Sequence, residues 1–157
     1  MKLFQIEEPD GAPVDPSAPG AAIGIDASGA CAEVAFAVGG NTVILADREG
    51  FEHPLPVPTS AAPMEEWQEV LEGARIRAER ALARPVTHAV IALGRTPDPG
   101  VAGGLRKAAA LAGLEILRVV EKGELPVGST PAPAVAILAE DLAPRPELDA
   151  APQADLD

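Results

Sequence analysis

Apolar positions along the chain change their spacing several times, and each change predicts a new element. Residues 21–26, AAIGID, form a short apolar run ending in an acid, the pattern of a buried strand whose carboxylate emerges at a tight turn. In 32–38, AEVAFAV, the pattern alternates, with Val34, Phe36 and Val38 on one face and small alanines on the other. Gly39-Gly40 then separates this run from 41–47, NTVILAD, which predicts a hairpin. Residues 51–63 hold His53 and four prolines and predict an irregular connection.

The period then lengthens. Trp67, Val70, Leu71, Ala74, Ala78 and Ala81 recur at helical spacing and predict a helix over 64–84. Pro63 suits its first turn, Glu65 and Glu66 its positive end, and Arg77, Arg80 and Arg84 its negative end. Beyond Pro85, the apolar run 86–93 predicts a buried parallel strand. A loop over 94–100, a helix over 101–113 ended by Gly113, a strand over 114–120, a Gly- and Pro-rich loop over 121–133 and a helix over 134–142 follow. The order is βββαβαβα. Two right-handed crossovers would set the fourth and fifth strands parallel to the first, on its free side. The expected fold is α/β: a five-stranded mixed sheet of the ribonuclease-H-like, actin-like kind.

Composition sharpens this picture in three ways. A chain of 157 residues suits one domain, and with 3% aromatics against 47% hydrophobic residues the core must be built from Ala, Val, Leu and Ile. The net charge of -12 is concentrated at the ends: residues 1–20 hold four acids and Lys2, and residues 140–157 hold six acids and Arg145. Three regions are therefore expected: an N-terminal arm over 1–20, rich in Pro and Asp and disordered; a domain over 21–142; and an acidic Pro/Ala tail over 143–157. Within the arm, residues 2–6 read as an untethered terminus or, more sharply, as a docking peptide with Leu3, Phe4 and Ile6 as its partner-binding side chains. No basic stripe is present, which argues against nucleic acid as a partner. The start MKLFQIEEPDG lacks the apolar stretch of a signal peptide, and no run has membrane-spanning length, so a soluble, cytoplasmic protein is expected.

Candidate chemistry centres on Asp26 and the loop behind it, Ala27 to Cys31, in which Ser28 supplies the only hydroxyl. Asp26, Ser28 and Gly29 are the nucleotide-binding candidates, and Asp26 is the metal ligand if there is one; as a lone carboxylate it makes a poor site and more simply caps its own turn. A nuclease of this fold needs several carboxylates, for which Glu72 or Glu79 and Asp98 are the further candidates. Cys31, the single cysteine, reads as a small apolar residue, and His53 and His88 lack a second ligand at metal spacing. Gly103-Gly104 reads as a close-packing site, and Trp67 as a core residue.

Several of these stretches are familiar. Gly24-Ile25-Asp26, the Gly39-Gly40 hairpin with Val43-Ile44, the strand Ala89 to Leu93, and above all residues 105–120, LRKAAALAGLEILRVV, occur in this order. Together they resemble the first half of the nucleotide-binding domain of DnaK-type chaperones, the heat-shock-70 family, over about residues 21–142. The resemblance implies an actin-like lobe and, in the intact family, ATP with magnesium. Departures accompany it. The family's phosphate loop carries Gly-Thr-Thr after its aspartate, whereas Ala27, Ser28 and Gly29 stand here. Its catalytic lysine has no counterpart in 51–63, and Glu121-Lys122-Gly123 replaces its Asn-Glu-Pro. The family's second phosphate loop and adenosine pocket would lie beyond this chain. The expectation is a non-catalytic, chaperone-like binding module with no catalytic residue and no cofactor. Its partner is a protein or a second copy, not nucleic acid or a membrane. The alternatives are an ATP-binding lobe completed by a second chain and a metal-dependent nuclease.

Overall fold

The apolar run at 21–27 is continuous because both of its faces are covered. A computed structural model describes residues 20–45, 55–59, 63–95 and 98–144. The docking peptide with Leu3, Phe4 and Ile6, the end of the third predicted strand at 46–47, His53 and most of the acidic tail lie outside these residues. Residues 20–143 form one compact unit.

Strand β1 (Ala21–Ala27) lies at the centre. It pairs antiparallel with β2 (Glu33–Val38), Ile25 opposite Val34, and parallel with β4 (Val86–Leu93), Ile25 opposite Ile91. Strand β3 (Asn41–Ile44) extends the sheet beyond β2, and β5 (Glu115–Glu121) extends it beyond β4. The order β3-β2-β1-β4-β5 makes a five-stranded mixed sheet, so the predicted strand arrangement stands. Helix α1 (Met64–Leu82) and helix α2 (Pro99–Leu111) cover one face, and helix α3 (Pro131–Leu142) covers the other.

Strand alternation sorts the side chains between these layers. Ala21, Ile23, Ile25 and Ala27 join Ile91, Leu71, Trp67 and Leu105 under α1 and α2. Ala22, Val90 and Ala92 meet Val135 and Ala139 of α3, and Ala35 and Ala37 meet Ala132 and Ala136. The alanine face of β2 thus receives a helix. Gly24 marks its closest approach: a Cβ there would lie 2.6 Å from the carbonyl carbon of Val135 and collide with the backbone nitrogen of Ala136.

Four element boundaries differ from expectation, each for a physical reason. Helix α1 stops at Leu82, not Arg84, because Arg84 precedes Pro85 and the α region is disfavoured there. Its buried stripe closes on the partly buried Leu82, at i+4 from Ala78, while Ala81 is exposed. Helix α2 begins at Pro99, where the missing N–H costs nothing. It ends in a Schellman arrangement: Gly113, at φ 90, donates to Ala110 O at 3.1 Å and Leu114 N donates to Ala109 O at 2.8 Å. Helix α3 begins at Pro131, three residues ahead of the predicted start, since Pro131 and Pro133 fall in the first turn, whose N–H groups have no helical acceptor. Finally, Leu55 to Val57 is not irregular along its whole length. Ala32 N donates to Leu55 O at 2.8 Å and Val57 N to Ala30 O at 2.9 Å, bridging Cys31 to Pro56. Among the described residues no helix is long and apolar enough to cross a membrane.

Candidate functional site

The carboxyl ends of parallel strands leave a crevice where the chain turns away into its crossovers. Here a cleft of about 610 Å³ opens at the carboxyl ends of β1 and β4. Its walls are the Ala27–Gly29 loop, the Leu93–Arg95 turn, Val57 to Thr59 and the first turn of α2 at Asp98. Trp67, 5% exposed, forms part of the wall, so the core residue expected at this position also borders the cleft.

The three nucleotide-binding candidates divide. Ser28 and Gly29 line the cleft; Asp26 does not. Alternation along β1 turns Ile25 and Ala27 towards α1 and α2 and the intervening Asp26 away from them. Half-buried, Asp26 accepts two hydrogen bonds on Oδ1, from Ser28 N at 2.9 Å and from Ser28 Oγ at 2.5 Å. The carboxylate holds its own turn, the geometry in which a short acidic side chain substitutes for a backbone acceptor. The loop's only hydroxyl is committed to the same contact.

The cleft is also weakly polarised. Among the described residues, Arg95 and Asp98 are the charged ones lining it, one of each sign. A crevice without a clear sign does little to concentrate an anionic ligand. The N-terminus of α2 points its partial positive charge here, but Asp98 stands at the N-cap and offsets it.

The remaining carboxylate candidates are not gathered around Asp26. Glu79 Oε2 accepts from Val86 N at 3.0 Å at the start of β4, while Asp26 pairs with Ala92 near that strand's end. Glu79 Oε1 meets Arg75 Nη1 at 3.0 Å, and Arg75 Nε donates to Ala112 O at 2.7 Å, so the pair ties α1 to the end of α2. Glu72 is exposed on α1. Among the described residues no three His, Cys, Asp or Glu side chains group so as to hold a metal ion.

His88 and Gly104 have structural settings. Ala21 pairs with Val86 and Ala22 with His88, which leaves Thr87 as an extra residue on β4. Thr87 Oγ1 accepts from Gly20 N at 2.8 Å and lies 2.7 Å from His88 Nδ1, and His88 Nε2 lies 3.5 Å from Glu115 Oε1. The buried ring is therefore held by its neighbour and by the strand beside it. Gly104 lets α2 approach α1, since a Cβ there would stand 2.9 Å from Met64 Sδ, whereas Gly103 faces open space. Cys31 is exposed rather than packed as a small apolar residue.

One polar contact had no forewarning. Glu140 of α3 accepts from Gly39 N at 2.5 Å and Gly40 N at 3.1 Å. Both glycines have positive φ, 59 and 85, so consecutive N–H groups of the hairpin turn converge on one carboxylate. Acid and turn stand about a hundred positions apart in the chain. The Gly-Gly pair itself was the available signal, because a turn with two positive φ values presents adjacent donors.

No protein-family model matches the chain, and no curated protein matches it at a significant level.

Proposed function

We propose that this chain is a non-catalytic binding module, a degenerate chaperone-like lobe of ribonuclease-H-like, actin-like architecture that serves as an adaptor or assembly factor. One observation carries the reading: the acid at the end of β1 is engaged by Ser28 N and Ser28 Oγ and does not line the cleft. A phosphate-bound magnesium needs a carboxylate directed at it with free lone pairs, and usually one or two such groups. Asp26 supplies neither the direction nor a partner. The resemblance of residues 105–120 to DnaK-type chaperones supports the architecture and the binding role.

A second reading, an ATP-binding lobe completed by another chain, is favoured by the cleft itself, which lies at the carboxyl ends of β1 and β4 beside Ser28, Gly29 and the start of α2. Titration of ATP and ADP with magnesium separates the two. Trp67 is the only tryptophan and borders the cleft, so its fluorescence reports occupancy, with calorimetry as the second readout. The module reading expects no saturable change with either nucleotide. Binding in the micromolar range, weakened by Ser28→Ala, would overturn it and make the Ala27–Gly29 loop a working phosphate site.

A further inference from the structure

The α3 side of the sheet carries a second concavity with a different character. Between the end of β5, the loop behind it and α3 lies a groove of about 470 Å³. Leu125, Pro133, Ile137 and Leu138 form its apolar walls, and Ile137 remains 38% exposed. Its charged lining residues are Arg118 and Glu124, one basic and one acidic, both exposed.

Beside the groove stands a knob. Pro126 O accepts from Ser129 N at 3.0 Å and from Ser129 Oγ at 2.6 Å, and Gly128 takes φ 84 between them. This is a hydrogen-bonded turn with glycine at the position that demands positive φ, and Val127 stands at its exposed corner. Among the described residues none covers Val127, at 104% of its reference exposure. A rigid turn that holds a branched apolar side chain in water, next to a groove lined by apolar side chains, is the anatomy of an interface with knob and hole on one surface.

We infer that this surface is a twofold interface between two copies of the chain, each inserting Val127 into the other's groove between β5 and α3. A twofold axis brings residue i against residue j and j against i, so a surface with a knob beside a hole satisfies itself. The charges follow the same rule. Arg118 of one copy meets Glu124 of the other, and the second pair follows by symmetry. Within one chain, Glu124 Oε1 accepts from Glu121 N at 2.8 Å, which leaves its other oxygen for a guanidinium. The charged side chains described in the groove lining, Arg118 and Glu124, offset one another, so the lining does not repel a copy of itself. The inference rests on the binding-module reading only for its meaning, by naming the partner; the assembly itself is tested without nucleotide.

Sedimentation velocity of the full chain over a wide concentration range tests it. The expected species has twice the 16.0 kDa of one chain. Val127→Asp, at a fully exposed position, is expected to raise the dissociation constant at least about tenfold, a clear single-site loss at an interface centre. Arg118→Glu alone is expected to do the same, and Arg118→Glu with Glu124→Arg to restore association to within a few-fold of the natural chain. Far-UV circular dichroism and the melting temperature confirm that the variants fold, including the double variant, which loses the Glu121 contact. A chain that stays monomeric at every concentration overturns the inference. So does a dimer that Val127→Asp and Arg118→Glu leave unchanged. Neither outcome bears on the nucleotide titration, so the two readings fail separately.

Discussion

The two faces of the sheet solve the same problem with different materials. Under α1 and α2 the strands present Ile23, Ile25, Ile91 and Leu93, and two helices with Trp67, Leu71 and Leu105 fill the layer. Under α3, β1 and β2 present Ala22, Gly24, Ala35 and Ala37, and one helix, lined there with Ala132, Ala136 and Ala139, covers them; towards β4 and β5 larger side chains return, with Val90 and Val120 beside Val135. Large side chains leave tolerance, because neighbouring rotamers adjust when a methyl is lost or moved. Gly24 leaves none, since what lies opposite is the backbone of Val135 and Ala136. The same contrast separates the two concavities. The cleft lies at the sheet's carboxyl end, is polar in part and has a balanced described lining, whereas the groove by α3 has mainly apolar walls and a bare valine beside it.

Adjacent residues of β1 break the comparison most directly. Gly24→Ala adds one methyl on the tight face and is expected to destabilise by about 3 kcal/mol, because the clash is with the main chain of Val135 and Ala136. Ile25→Val removes one methyl on the roomy face and is expected to cost only about 1 kcal/mol. Urea unfolding of the two variants measures both. If Gly24→Ala proves the milder change, the close approach of α3 is wrong.

The next effect concerns how α3 is held. Glu140→Gln keeps the shape but removes the charge that faces Gly39 N and Gly40 N, and is expected to cost about 1 kcal/mol. Amide hydrogen exchange localises it: Gly39 and Gly40 should lose protection in the variant while β4 keeps it. Equal loss across the sheet would mean that the acid stabilises the whole domain instead of fastening the hairpin.

The smallest effect has the opposite sign. Ala83 ends α1 at φ 57, a conformation that an L side chain adopts at a cost. Ala83→Gly is expected to stabilise by about 0.5–1 kcal/mol, the relief of left-handed strain exceeding the added entropy of the unfolded chain. An unchanged or lowered melting temperature would contradict it.

Legibility followed the range of the interaction responsible. The strands and helices were readable because their signals are periodic and local: the run at 21–27, the Gly39-Gly40 break, and the stripe from Trp67 to Ala78. Proline was misread at α3, where Pro131 and Pro133 resemble loop residues until their place in the first turn is known. The bridge from Cys31 to Pro56 was invisible, since it links a loop to a Pro-rich stretch through main-chain groups alone. At the candidate site, the structure brings Ser28 and Gly29 to a cleft. Asp26 caps its own turn through Ser28, as a lone carboxylate at the end of an apolar run suggests, and the period of β1 turns it away from α1 and α2.

From sequence alone came the element order, the apolar composition of the core, the turn glycines and the clustering of acid at the two ends, because each depends on neighbours a few positions apart or on simple counts. Only the tertiary structure decided which face each side chain serves. It placed the carboxylate of Asp26 outside the cleft, and it fastened Glu140 to a turn about a hundred positions away. It also set Val127 beside an apolar groove between β5 and α3. These are contacts between elements distant in the chain, and packing two layers onto one sheet selects them; no local propensity encodes them.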